Sequence, residues 1–202
     1  MTTATEFWAD NTTAAWWKAE DARYGQQGIN KRSEDYLRKN VPKDVKSICE
    51  VGAGTGRLIG MFKNIKAHSV DINSAMCDIV REKYPHVTTC NFPASFMPTF
   101  AKDSVDLVYS FQALQHIPNN MIMDSLTEML RITKDRLWLL EGFMPDKEQG
   151  ERTHKANGGS FCYYYDRIFK CESIEFLEPG IKVYKIRKKD NSTITEPRFG
   201  EK

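Results

Sequence analysis

The chain has 202 residues, 41% hydrophobic and 11% aromatic, with a formal net charge of +2. That length suits one α/β domain with its own core and is too short for two of ordinary size, and the balance excludes a disordered chain. No apolar run approaches a bilayer span and Met1-Thr2-Thr3-Ala4-Thr5-Glu6 has neither a basic nor an apolar signal region, so a cytoplasmic protein is expected, with no membrane partner.

Residues 1–45 precede the first strand and concentrate Phe7, Trp8, Trp16, Trp17, Tyr24 and Tyr36. Helices are expected over 14–24 and 29–39; Trp16 and Trp17 cannot face the same side of one helix. Five parallel strands follow, at 46–51, 67–71, 87–91, 105–111 and 136–141. Helical periods fill 55–66 and 74–84, and Ile122, Leu126, Met129 and Leu130 mark a third helix capped by Asn119. A loop at 143–160, a short helix around 163–170 and two strands flanking Glu178-Pro179-Gly180 complete the order. That hairpin makes the last strand antiparallel to the rest. Five cysteines at 49, 77, 90, 162 and 171 have neither zinc nor redox-pair spacing, so reduced thiols and no metal are expected.

The run Glu50-Val51-Gly52-Ala53-Gly54-Thr55-Gly56-Arg57 sits on a strand-to-helix turn, where glycine lets backbone approach a ligand. Asp71, nineteen residues past Gly52, closes the next strand and is placed to accept hydrogen bonds from ribose hydroxyls. A dinucleotide fingerprint needs GxGxxG; here Arg57 occupies the third-glycine position, and Glu50 suits a ligand bearing an ammonium and a sulfonium. An ordinary glycine-rich turn is the alternative.

The segment resembles motif I of the class I S-adenosylmethionine-dependent methyltransferases, and Asp71 resembles their ribose-binding acid. The resemblance implies a Rossmann-like, doubly wound, mostly parallel seven-stranded sheet with an antiparallel last strand, helices on both faces, and S-adenosyl-L-methionine as cofactor. It divides the chain into an N-terminal helical lid over 1–45, a methyltransferase domain over 46–190 and a basic tail over 191–202. Its cofactor-binding residues would be Tyr24, Glu50, Gly52, Ala53, Gly54, Arg57, Asp71, Ile72, Met76, Asn91, Phe92, Ser110, Phe111 and Gln112. Asn91 stands where an acid is commoner and would meet the adenine amino group through its carbonyl oxygen.

Leu114-Gln115-His116-Ile117 resembles the "LxHI" run that follows the fourth strand in small-molecule members. His116 is a candidate general base because imidazole titrates near neutrality; a structural histidine at the turn is the alternative. Glu141, ending the fifth strand, and His154, in the following loop, are further catalytic candidates by position. The sulfonium is already activated, so alignment in a dry site supplies most of the rest.

Several acceptors are argued down. No [DNS]-P-P-[YFW] run, Pro-Cys nucleophile or magnesium-binding acidic pair follows the fourth strand. Phe7-Trp8-Ala9-Asp10, Glu141-Gly142-Phe143-Met144-Pro145 and Tyr165-Asp166-Arg167-Ile168-Phe169 loosely resemble runs of the methyltransferases associated with pseudaminic acid biosynthesis. That likeness implies a small polar acceptor, a sugar or amino sugar. Residues 181–202 hold seven Lys or Arg against three Asp or Glu, so Lys185, Arg187, Lys188 and Lys189 could instead meet nucleic-acid phosphate, or form a solvated edge strand. An RNA or protein substrate, or a cofactor-binding module without turnover, therefore stays open, as does the oligomeric state.

Overall fold

The computed structural model describes residues 4–10, 12, 19, 29–154, 160–178, 180–192 and 194. In chain order the elements are α1 Ala4–Ala9, α2 Ile29–Asn40, β1 Ser47–Val51, β2 Lys66–Asp71, α3 Ser74–Lys83, β3 Val87–Asn91, β4 Val105–Phe111 and α4 Asn119–Ile132. They continue as β5 Thr133–Gly142, β6 Arg152–His154, β7 Ser160–Phe161, β8 Cys171–Glu178 and β9 Ile181–Arg187.

Seven strands form one Rossmann-like sheet in the order β3-β2-β1-β4-β5-β9-β8. The first five pair in parallel, while β9 runs antiparallel to both β5 and β8. The reversal follows from the tight turn ending at Gly180, whose φ of +86° an L side chain would strain.

Both faces of the sheet are covered at its centre, which is why β4 and the second half of β5 read as almost unbroken apolar runs, while β2, β3 and the edge strand β8 are mixed. Along β4, Leu107 and Tyr109 enter one core with Leu37 of α2 and Val80 of α3. Val108 enters the other with Ile122, Leu126 and Met129 of α4. The two-residue period of the strand thus feeds two helical layers. The strand ends are left to form a site at the carboxyl edge of β1, β2 and β4.

Four local expectations differ from the fold. The periodic segment 55–66 forms only a 3-10 turn at Ile59–Met61. Gly56 at φ +74° is outside the helical region, and a Cβ on Gly60 would meet the Tyr84 ring at 2.4 Å, so the apolar spacing reflects a packed turn. The helix near 163–170 shrinks to a 3-10 turn at Tyr165–Arg167. Pro118, not Asn119, occupies the cap of α4; Asn119 instead donates to Gly150 O and accepts from Tyr163 Oη. The loop 143–160 holds the β6–β7 ladder. Apart from Ala19, the expected helix 14–24 lies outside the described residues, as do Tyr24 and most of the tail 191–202.

The basic C-terminal strand is largely neutralised within the fold. Lys185 pairs with Glu175 at 2.7 Å, Arg187 with Glu172 and Asp135, and Lys188 with Asp103. Among the described residues no helix is long and apolar enough to cross a membrane.

Candidate active site

A cavity of about 760 Å³ opens at the carboxyl ends of β1, β2 and β4. The glycine turn forms its floor. Gly52 N–H donates to Val70 O at 2.8 Å and Ala53 N–H to the same oxygen at 3.2 Å, which folds the turn back over β2. Gly52 has φ +74°, and a Cβ there would stand 2.3 Å from Ala113 Cβ. Gly54, at φ +52°, has no atom of the described residues, its chain neighbours aside, within 4 Å of where its Cβ would be. One glycine permits close approach of the β4 loop; the other leaves the turn bare.

Glu50 lines the cavity yet is only 3% exposed. Its Oε2 accepts Ile59 N–H at 3.0 Å and Tyr109 Oη–H at 3.1 Å. Burial pushes its carboxyl up to about 8, opposed by the nearby Arg57 guanidinium. A positively charged ligand group would reverse that penalty. Arg57 lines the same wall, 6.0 Å from the Phe111 ring centroid.

Asp71 ends β2 beside the turn. Oδ2 accepts Gly54 N–H at 2.7 Å and Oδ1 accepts Asn73 N–H at 2.9 Å, while burial raises its pKa. Its carboxylate thus ties the glycine turn to the start of α3. Ile72, Met76 and Phe92 line the adjoining wall. Asn91 does not: its Nδ2 donates to Asp71 O and Ile72 O, both at 2.9 Å, and so fixes the backbone behind that wall.

The opposite bank is the end of β4. Phe111, Gln112, Gln115 and His116 line the cavity. Gln112 has φ +53°, an uncommon conformation for a residue with a side chain, of the kind that concentrates at ligand sites. Ser110 and Glu141, both fully buried, stand behind this bank rather than in it. Glu141 Oε1 accepts Ser110 Oγ–H at 2.7 Å and the N–H groups of Ala113 and Leu114 at 3.3 Å each, anchoring the 3-10 turn Leu114–His116. Burial raises the Glu141 carboxyl to about 7.

Glu141→Leu is expected to cost roughly 2–4 kcal/mol in a urea titration, because it orphans Ser110 Oγ and two backbone N–H groups, whereas Glu141→Gln, which keeps an acceptor, stays within about 1 kcal/mol. Equal losses would mean that the charge of Glu141, not its acceptor geometry, matters.

His116 Nδ1 lies 3.4 Å from Ser160 Oγ on β7, and the Trp8 ring covers the imidazole with centroids 4.3 Å apart. Trp8 lines the cavity and joins these groups from α1, a contact foreshadowed only by the Phe7-Trp8-Ala9-Asp10 run. In α2, Leu37 is in the core and Tyr36 Oη–H donates to Glu175 at 2.7 Å. His154 ends β6. Among the described residues no three His, Cys, Asp or Glu side chains converge as a metal site, and the five cysteines are unbridged.

Residues 48–136 match the model of a family described as a methyltransferase domain. No curated protein matches the sequence. Among solved structures, the DhpI-SAH complex aligns with TM-score 0.68 and 15% identity over 92% of this chain and 97% of that one. Magnesium protoporphyrin IX methyltransferase (ChlM) from Synechocystis PCC 6803, with bound SAH, aligns with TM-score 0.63 and 12% identity over 91% and 99%. The YcgJ protein from Bacillus subtilis aligns with TM-score 0.52 and 21% identity over 58% of this chain, which spans 53% of that one. At these identities the likeness establishes the fold. The chain thus has the Rossmann-like fold of these methyltransferases, and its residues 48–136 match the model of a methyltransferase domain.

Proposed function

We propose that this protein transfers the methyl group of S-adenosyl-L-methionine to an oxygen or nitrogen of a small polar acceptor, a sugar or amino sugar. One observation carries the reading: a single cavity joins the glycine turn, Glu50, Asp71 and Phe92 to Gln112, Gln115 and His116, beneath Trp8. The residues fit the cofactor. A Cβ on Gly52 has no room, the space beside Gly54 is open, and a buried carboxyl at Glu50 favours a cationic partner.

In this reading Asp71 holds the ribose, Ile72, Met76 and Phe92 flank the adenine, and Glu50 faces the ammonium. When bound, the cofactor supplies a methyl group activated by its sulfonium. The chain's own contribution is to bind, align and exclude water. The imidazole of His116, at the nitrogen not turned toward Ser160 Oγ, takes the proton released as the acceptor is methylated. Ser110, Asn91 and Glu141 support this geometry from behind the walls.

The acceptor reading is supported by the polar groups Gln112, Gln115 and His116 at one end of the cavity, and by the resemblance of the Phe7–Asp10 and Glu141–Pro145 runs to nonulosonate-sugar methyltransferases. An RNA substrate has less support, since Lys185, Arg187 and Lys188 are ion-paired. The test is mass spectrometry of sugars, amino sugars, phenols and short RNAs after incubation with the protein and cofactor. A gain of one methyl on a sugar is expected; a gain on RNA alone overturns the acceptor assignment.

Glu50 makes binding depend on pH. Its raised pKa means that the unliganded protein carries a proton there at neutrality, and an ammonium-bearing ligand must displace it. S-adenosylhomocysteine affinity is therefore expected to rise by roughly 50-fold from pH 6 to pH 8, with proton release, as calorimetry in buffers of different ionisation enthalpy would show. Glu50→Gln should flatten the profile. The sign for stability is opposite: a carboxyl whose folded pKa lies above its unfolded one stabilises at low pH, so the free protein loses stability as pH rises from about 4.5 to about 8.

A further inference from the structure

Asn73 is 2% exposed and joins three parts of the site. Its Oδ1 accepts Met76 N–H at 3.0 Å and so caps α3. Its backbone N–H donates to the cofactor acid, Asp71 Oδ1. Its Nδ2 donates to Trp8 O at 3.0 Å and Asp10 O at 2.8 Å. From there the Trp8 ring reaches across to His116. Asn73 follows β2 and His116 follows β4, and these two strands flank β1, so residues 8–10 bridge from one bank of the cavity to the other above the glycine turn.

The residue type is informative. Ser, Thr, Asp and Asn all cap a helix through a side-chain oxygen, but of these only Asn also carries an NH₂ group with two hydrogens to donate. Here both functions are used, the oxygen on the helix and the nitrogen on two carbonyls of the N-terminal segment. A cap alone would not require asparagine.

We propose that Asn73 is a positioning residue for methyl transfer: it clasps residues 8–10 across the cavity mouth, holds Trp8 against His116 and slows cofactor exchange. The parts on methyl transfer and cofactor exchange rest on the function proposed above, whereas the clasp itself is a contact within the chain. Neutral hydrogen bonds of this kind are individually modest, so the segment can lift for ligand entry while α3 keeps its cap.

Asn73→Asp and Asn73→Ser separate the two functions, because each retains a capping oxygen and neither can donate to both carbonyls. The full-length variants would be compared with the unmodified protein by amide hydrogen exchange and by stopped-flow dissociation of S-adenosylhomocysteine. Expected is a rise of about tenfold in exchange over residues 6–10 and in dissociation rate, with protection of 77–83 unchanged. Unchanged protection of 6–10 in both variants overturns the clasp. Loss of protection spreading through α3 in both also overturns it, leaving Asn73 a helix cap. If the unmodified protein does not bind S-adenosylhomocysteine, the cofactor reading fails, and exchange over 6–10 still decides the clasp.

Discussion

Asp71→Ala is expected to weaken S-adenosylhomocysteine binding on the order of 100-fold or more, measured by equilibrium dialysis. The carboxylate has two tasks. Within the chain it accepts Gly54 N–H and Asn73 N–H, fixing the glycine turn against the first turn of α3. In the proposed role it also accepts the ribose hydroxyls, and hydrogen bonds to a charged group contribute roughly 1.5–3 kcal/mol each, so losing two accounts for a change of that size. Asp71→Asn keeps the side chain's shape and one acceptor oxygen, and should fall between. Affinity within threefold of the unmodified protein in the alanine variant would mean that the ribose lies elsewhere.

Gly52→Ala is the second large effect, and it reads on folding as well as binding. The residue stands at φ +74°, where an L side chain costs about 1–3 kcal/mol, and the new methyl group would lie 2.3 Å from Ala113 Cβ. Relieving that overlap moves the turn away from residues 112–116, a repacking that costs about 1–3 kcal/mol more. A urea titration should therefore show a loss of roughly 2–6 kcal/mol in total, with cofactor affinity falling too because the turn shifts relative to Gln112 and His116. Gly54→Ala supplies the contrast: its φ of +52° is strained, but among the described residues nothing beyond its chain neighbours lies within 4 Å of the added carbon, so its loss should be near 1–2 kcal/mol. Equal losses at the two positions would remove the steric part of the explanation.

The central strands β4 and β5 were legible because both their faces are buried, so each reads as a short apolar run between breakers; β2 and β3 were legible from their spacing between helical segments. Glu50, Gly52, Gly54 and Asp71 were legible for a related reason: strand order puts the ends of β1 and β2 side by side, so a fixed spacing in the sequence becomes adjacency in space. The segment 55–66 misled because Leu58, Ile59 and Phe62 are buried at helical spacing while Gly56 and Gly60 keep the backbone from forming more than one 3-10 turn.

Position at a strand end was a poorer guide to role than to place. Asn91 and Glu141 both end strands at the carboxyl edge, yet their side chains bind backbone behind the cavity, because backbone groups at that edge compete for the same polar atoms. Trp8 and Asn73 needed the structure. Their contact joins residues 65 apart, and neither a lone tryptophan near the N-terminus nor a helix cap announces a partner at that distance. Trp16 and Trp17, the more conspicuous pair, lie outside the described residues.

The central claim is that the cavity between β1, β2 and β4 holds S-adenosyl-L-methionine. Calorimetric titration of the full chain with S-adenosylmethionine and S-adenosylhomocysteine tests it most directly. Saturable binding of both at one site per chain, lost in Asp71→Ala, is the predicted result. A folded protein that gives no binding heat with either ligand at several temperatures, and no shift of its melting temperature, would contradict it.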